Sequence, residues 1–321
     1  MSQCYLFVHF KERSTPDGEQ VYFSISKDGL HWEAVKAGDP VLWTYYGTRG
    51  ARDMTIVRHP QTGRIYVVAT DLSIAYGVRR HRSDFWEYVS THGSSSLSVW
   101  ESDDLVHWTE QRLEEMTLFN GVFGCVWAPD AIWDPEKEQF LLHWSSSVSD
   151  DDFKRKRIFA SYTADFHSFS EPFVLFEEEQ DVIDSAMYHF EDKYYLFYKG
   201  GVPTRVRLAA SDHITGPFEP MEAFDRSMDA VELGKYEAPT AVQLEDGRWA
   251  LFIDYYGAYG ADQGYVPFLS DDLSSGVFTQ ASGDFSFPYH FKHGTILKIT
   301  EEEFERLQSF DWTDPGFVEF F

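Results

Sequence analysis

The sequence predicts an all-β fold, a five-bladed β-propeller with four antiparallel strands per blade, and three patterns lead to it. The first is a unit that recurs five times, a polar or aromatic head followed by a short alternating apolar run. The heads are Asp53 in ARDMTIVR, Trp127 in VWAPDAIW, Asp184 in VIDSAMYHF, Glu237 in YEAPTAVQ and His293 in KHGTILKI, 53 to 74 residues apart. In the first four, a turn and a second apolar run complete a strand pair, and self-similarity of this kind marks a repeated supersecondary unit.

The second pattern is Ser/Thr-x-Asp, a short turn, then an aromatic, with the Asp one place earlier in the copy at 211–218. It occurs as SKDGLHW (26–32), SDDLVHW (102–108), TADFHSF (163–169), SDHITGPF (211–218) and SDDLSSGVF (270–278), each after a β-rich run. An Asp there bonds its own turn backbone and joins two antiparallel strands tightly. Interleaving the two patterns gives inner (DMTIVR), second (RIYVVAT), third (LSVWES) and outer (HWTEQRL) strands, the make-up of a propeller blade.

The third pattern lies at the chain ends. The fifth head is followed by one strand only, GTILKI (294–299), while the N-terminus supplies YLFVHF (5–10), QVYFSIS (20–26) and HWEAVK (31–36). One blade is therefore expected from 5–36 plus 294–299, which closes the ring without an open strand edge. In the remaining segment, 301–321, EEEFERLQSFDW reads as a short surface helix. Its acids suit the helix start, and Phe304, Leu307 and Phe310 share a face.

No Pro/Gly/Ser-rich linker divides the chain, so residues 1–321 are expected to form one large all-β domain. With 43% hydrophobic and 17% aromatic residues it can fill an extensive core. A formal charge of −26, from 27 basic and 53 acidic residues, argues against nucleic acid or an anionic membrane as partner. Two cysteines form neither a disulfide framework nor a zinc spacing. The opening MSQCYLFVHFKE lacks the basic segment and apolar stretch of a signal peptide, and no window approaches a membrane span. A cytoplasmic protein is expected.

Strands alternate direction within a blade, so the connections before each inner strand and between second and third strands emerge on one face. The heads converge there around the axis. The longest second-to-third connection, 72–96, arrives on the same face, and long loops on a rigid scaffold shape binding sites. Its Tyr76, Phe85, Trp86 and Tyr88 either stack on sugar rings or pack the loop onto its blade.

Three of the five heads are carboxylates. Singly, an acid at a strand end caps a turn or pairs with arginine. Three gathered on an axis carry a desolvation and repulsion cost that function offsets most simply. Inverting cleavage of a glycosidic bond requires a protonated acid and an ionised base roughly 6.5–9.5 Å apart, and a third carboxylate nearby helps keep the acid protonated.

The ordered set R-D-x-x-I, W-A-P-D, V-I-D, Y-E-A-P-T and K-H-G-T-I resembles glycoside hydrolase family 43 over essentially the whole chain. The resemblance implies an inverting five-bladed propeller enzyme acting on arabinose- or xylose-containing glycans, of α-L-arabinofuranosidase or β-xylosidase type, and exo action on short oligosaccharides fits a cytoplasmic location. It implies Asp53 as general base, Glu237 as general acid, and Asp184 as the residue that raises the acid's pKa and orients it. Trp127 would form part of the sugar subsite, with Arg52, Tyr76, Trp86, Arg205 and Tyr255 as further substrate contacts. For Arg205, and for Arg207 beside it, a surface ion pair is the alternative. Asp130 falls off the axial position and reads as structural.

His293 matches an axial-channel histidine that in relatives lies beside a calcium ion or a water cluster. Calcium prefers oxygen ligands, so any contact would run through water, and a satisfied core histidine is the alternative. No cofactor is required. One departure from the family pattern is Met54, where the residue after the base is usually proline, a residue that fixes backbone geometry rather than doing chemistry. The W-M-N-D-P signature of the invertase-type propellers is missing. A carbohydrate-binding propeller without turnover is the alternative function. A protein-interaction propeller would present a broad flat face without an acidic pit.

Overall fold

The computed structural model describes residues 3–11, 15–76, 84–230, 235–257 and 264–313. The chain opens with β1 (Gln3–Phe10), β2 (Tyr22–Ser26) and β3 (Glu33–Ala34), then builds a complete blade from β4 (Ala51–Arg58), β5 (Ile65–Asp71), β6 (Ser96–Ser102) and β7 (Arg112–Glu115). The second blade holds β8 (Trp127–Asp134), β9 (Gln139–Ser146), β10 (Arg157–Thr163) and β11 (Phe173–Phe176). The third holds β12 (Ile183–Phe190), β13 (Lys193–Gly200), β14 (Arg205–Ser211) and β15 (Glu219–Pro220). The fourth holds β16 (Tyr236–Gln243), β17 (Trp249–Tyr255), β18 (Gly264–Ser270) and β19 (Thr279–Gln280).

The last strand, β20 (Lys292–Thr300), runs antiparallel to β1 from Gln3↔Thr300 to Phe10↔Lys292. The fifth sheet therefore has the order β20-β1-β2-β3 and is built from both ends of the chain. Inner strands β4, β8, β12, β16 and β20 each pack against the next, and β20 returns to β4. The ring is closed and the fold is a five-bladed β-propeller.

Apolar residues on the two faces of each sheet are buried between neighbouring blades. Tyr66, Val68, Leu97 and Val99 of the first blade meet Phe140, Leu142, Trp144 and Phe159 of the second in one cluster. Each such large side chain contributes roughly 1.5–3 kcal/mol when fully buried. These seams, repeated around the ring, hold the inner strands in place.

The Ser/Thr-x-Asp turns lie between third and outer strands, as the pattern predicts. Asp104 Oδ1 accepts from the backbone N–H of Val106 and His107, and Asp28 Oδ1 does the same for Leu30 and His31. The turns reach further than the sequence reading allows. Trp108 makes only an isolated bridge to Ser102, and β7 begins at Arg112. HWEAVK likewise yields only Glu33–Ala34 as strand, because Asp28 keeps the chain turned through His31.

Three α-helices occur among the described residues. Helix α1 (Phe85–Thr91) sits within the long connection, where the sequence reading places a loop, and α2 (Glu222–Ser227) follows β15. Helix α3 (Glu301–Ser309) starts with a capping box between Thr300 and Glu303 and buries Phe304 and Leu307. Phe310 packs partly buried on the same cluster. Residues 77–83 of the connection and 314–321 of the tail lie outside the described residues. No described helix is long and apolar enough to cross a membrane.

Candidate active site

Each inner strand is bent at its entrance by the same irregularity. On β4 the ladder passes from Arg52↔Thr70 to Thr55↔Val68, so Asp53 and Met54 stand opposite a single residue. The same break lies between Trp127 and Asp130, Ile183 and Ala186, Glu237 and Thr240, and, across Val8/Phe10, between Lys292 and Thr295. Such bulges bend a strand and re-aim its side chains. The five heads therefore occupy two adjacent register positions rather than one. Asp53, Asp184 and His293 are first bulge residues, whereas Trp127 and Glu237 stand one place earlier.

At the bulge, Asp53, Ala128, Asp184 and Ala238 take positive φ values of 49°, 50°, 55° and 54°. Left-handed backbone costs a non-glycine residue roughly 1–2 kcal/mol, and strain of this kind persists where the surroundings enforce it. Bonds between blades do so here. Ala128 N–H donates to Thr70 Oγ1 (2.8 Å), Asp184 N–H to Ser145 Oγ (3.0 Å) and Ala238 N–H to Asp184 Oδ2 (3.3 Å). Asp184 thus fixes the backbone next to Glu237. Met54 is fully buried at the place where β8 and β16 carry Pro129 and Pro239. The ladder on either side imposes the bend without proline.

The charged groups form one field. His293 Nδ1 lies 3.4 Å from Asp53 Oδ1. Burial pulls His293 down, but the hydrogen bond and charge of Asp53, together with the charges of Asp184 and Glu237, raise it to about 9. Burial pushes Asp53 up, and His293, Arg52 and Thr70 more than offset that, holding it below the ordinary carboxylate value. Asp184 is pushed up to about 6, first by burial and then by Glu237 and Asp53, against the opposing charges of His293 and Lys199. Three carboxylates from three blades therefore act on one imidazole.

Lys199, absent from the sequence-based set, completes the cluster. It stands near the end of β13 opposite Ile183, donates to Glu237 Oε2 at 2.8 Å, and lies 4.6 Å from the centre of the Tyr256 ring. Burial pulls its pKa down, but Glu237 and Asp184 hold it above the usual lysine value. Glu237 is the most open of these side chains, 31% exposed against 18% for Asp53 and 12% for His293.

Below this layer the axis is filled. Thr55 Oγ1 donates to Asp130 Oδ1 (2.8 Å), Met187 N–H to Asp130 Oδ2 (3.1 Å) and Ile56 N–H to Thr295 Oγ1 (2.8 Å). Thr55, Asp130, Thr240 and Thr295 are all buried. Asp130, raised to about 6 chiefly by burial, ties three blades together, in keeping with its structural reading.

The other expected contacts divide. Trp127 is half-buried, edge-on to Trp86 with ring centres 6.5 Å apart, and Trp86 and Tyr76 are exposed on the same face. Phe85 is buried with Leu72, Ile74 and Val89, and Tyr88 stacks on His92, so these two pack the loop. Tyr255 lies against Tyr236, the neighbour of Glu237. Arg52 pairs with buried Glu19 at 3.0 Å and lies over the Phe10 ring. Glu19 also accepts from the Ser73 hydroxyl and from Ile74 and Ala75 N–H, so the pair anchors the start of the long connection. Arg205 bonds Asp229 and Asp225, and Arg207 bonds Asp225, the ion-pair alternative in both cases.

The expected calcium contact at His293 runs through water; direct ligation is disfavoured, because Asp53 Oδ1 lies 3.4 Å from Nδ1 and helps raise the imidazole to about 9, and a protonated ring offers no lone pair. Among the described residues no group of three or more His, Cys, Asp or Glu is arranged to hold a metal.

Two residue pairs beside the axis were missed in the sequence, Lys199–Glu237 and the buried Lys292–Asp254 contact at 2.6 Å. Their signal is a charge at the end of an apolar run: Lys199 after YYLFY, opposite Ile183 next to the head Asp184, and Asp254 after ALFI, opposite the head Glu237.

The chain is similar to known propeller proteins. A family model described as a probable glycosyl hydrolase domain matches residues 1–305. An α-L-arabinofuranosidase of Bifidobacterium longum subsp. longum is 28% identical over 225 residues, 64% of this chain and 20% of that protein, so the chain spans about a fifth of that relative. A family 43 protein of Bacillus licheniformis superposes with a TM-score of 0.58 at 14% identity, over 87% of this chain and 53% of that one. An exo-β-1,3-galactanase of Phanerochaete chrysosporium superposes with a TM-score of 0.59 at 11% identity, over 88% and 61%. These two similarities concern the fold. With its sequence matched along nearly its full length, the chain belongs to glycoside hydrolase family 43, among the probable glycosyl hydrolase domains.

Proposed function

We propose that this propeller is an inverting, exo-acting glycosidase that removes arabinofuranosyl or xylosyl units from oligosaccharides. Glu237 protonates the leaving oxygen, Asp53 activates the attacking water, and Asp184 orients Glu237 while adding negative charge beside it. The observation that carries this reading is the shared field of Asp53, Asp184 and Glu237 on His293, with Asp53 held ionised and Asp184 raised to about 6. Asp53 is thus held in the ionised form a base needs, while Asp184, the carboxyl beside the acid, is the one raised. The filled axis beneath supports exo action, because a sugar enters only from the open face. The similarity to an α-L-arabinofuranosidase supports a pentose.

A panel of chromogenic pentosides and hexosides tests this, with galactosides included because of the galactanase of like fold. At least one pentoside is expected to turn over, and Glu237→Gln and Asp53→Asn each to lower the rate by about 10²–10⁴-fold. Hydrolysis indifferent to both substitutions would overturn the assignment.

A binding propeller without turnover is favoured by one observation, the ammonium of Lys199 already occupying Glu237 Oε2. Calorimetric sugar binding with no hydrolysis of any substrate supports that reading.

A further inference from the structure

Three aromatic rings outside the pit are exposed to solvent on a backbone pinned by side-chain hydrogen bonds. They belong to the segment 39–50, which leads from β3 into β4 and crosses the seam between the closing blade and the first blade on the face that carries the heads. Trp43, Tyr45 and Tyr46 are 38%, 68% and 48% exposed. Their backbone is pinned at successive residues by largely buried side chains. Gln20 Oε1 accepts from Thr44 N–H and Oγ1 (2.8 and 3.0 Å), and Gln111 Oε1 accepts from Tyr45 and Tyr46 N–H (2.7 and 3.0 Å). Asp71 Oδ1 accepts from Thr48 N–H and Oγ1 (2.7 and 2.8 Å). Gly47, at φ +69°, lies so close to Asp71 that a Cβ would meet its carboxylate at 2.5 Å.

A loop that merely connects two blades does not need three buried polar side chains to present large rings to water. Rigid amphipathic rings give contact area at little entropic cost on binding, because their ordering is complete beforehand. The Tyr46 hydroxyl donates to Glu110 (2.6 Å), so the tip of one ring is oriented as well. Arg49 lies 5.8 Å from the centre of the exposed Tyr76 ring, which joins this segment to the start of the long connection. Glu19 holds the N–H groups of Ile74 and Ala75 next to Tyr76 and pairs with Arg52, the residue before Asp53. These contacts tie the segment to the start of the long connection and, through buried Glu19 and Arg52, to the strand that carries Asp53.

We infer that Trp43, Tyr45 and Tyr46, extended by Tyr76, form a second carbohydrate-binding surface that holds the part of an oligosaccharide leading away from the sugar in the pit. The occupant is an uncharged glycan chain. Flat rings flanked by single hydrogen-bonding groups suit the faces of successive sugars, and a chain of net charge −26 disfavours polyanions. The inference rests on the glycosidase reading and deepens it.

The test compares wild type, Tyr45→Ala and Tyr45→Ala/Trp43→Ala on an aryl monosaccharide and on oligosaccharides of two to six units of the same sugar. Wild-type kcat/KM is expected to rise with length. The variants should keep the aryl monosaccharide rate within about twofold and lose roughly tenfold on the hexasaccharide through KM, equivalent to about 1.4 kcal/mol. Equal rates on the hexasaccharide for variants and wild type would overturn the inference, as would equal losses on both substrates. If no substrate is hydrolysed, the glycosidase reading fails separately, and calorimetric hexasaccharide binding, lost or kept in Tyr45→Ala, still decides the surface. A dimer that Tyr45→Ala dissociates, with hexasaccharide affinity unchanged, would make the rings a contact between copies and overturn the inference.

Discussion

Lys199 Nζ lies 2.8 Å from Glu237 Oε2, bridging the third and fourth blades at the mouth of the pit. Oε2 accepts from this ammonium and Oε1 does not, so on the proposed reading Glu237 delivers its proton from Oε1, or from Oε2 once sugar binding has drawn Lys199 away. Lys199 also opposes burial at Asp184.

Lys199→Met is expected to shift the alkaline limb of the kcat/KM profile to higher pH by about one unit, equivalent to ~1.4 kcal/mol. Without the cation, Asp184 rises further above about 6 and stays protonated to higher pH. Lys199→Arg should restore the wild-type limb. A Lys199→Met profile superimposable on wild type would mean that the ion pair plays no part in proton delivery.

His293 gives a dependence of stability on pH whose sign is fixed by its environment. Its pKa is raised above the unfolded value to about 9, so its contribution is fully present below pH 6.5 and lost as pH rises through 9. Between pH 7 and 10 wild type is expected to lose about 1–3 kcal/mol that His293→Gln does not lose. Denaturant melts of both proteins at several pH values measure the difference. Parallel losses would show that His293 is not charged against Asp53 in the folded state.

Glu19 is buried beneath the pit face and serves four donors, Arg52, the Ser73 hydroxyl and the N–H groups of Ile74 and Ala75. Removing one partner of a buried ion pair costs roughly 3–5 kcal/mol, because the other charge stays behind. Glu19→Ala is expected to lower stability by that order and to speed amide hydrogen exchange at 74 and 75. Unchanged exchange there would mean that the loop start is held by other contacts.

The repeat and the turns made the architecture legible, since five similar strand pairs and an N-terminus that starts midway through the pattern admit few other closures. The bulge was not legible. Nothing in R-D-M-T and W-A-P-D as strings says that Asp53 shares its register position with Ala128 rather than Trp127, because the offset arises from pairing with β5 and β9. Lys199 and Glu19 were hidden for a related reason. Each is an ordinary charged residue locally, and its partner lies on another blade or beyond a long stretch of chain. For Arg205 the sequence left a sugar contact and a surface ion pair open, and its guanidinium pairs with Asp225 and Asp229.

The most direct test of the central claim, that Asp53 and Glu237 work from opposite sides of one sugar, is proton NMR of the anomeric signal during hydrolysis of the best pentoside from the panel. The first-formed sugar is expected to carry inverted configuration, and the signal to vanish with Glu237→Gln. A first product of retained configuration would contradict a direct attack by water activated at Asp53.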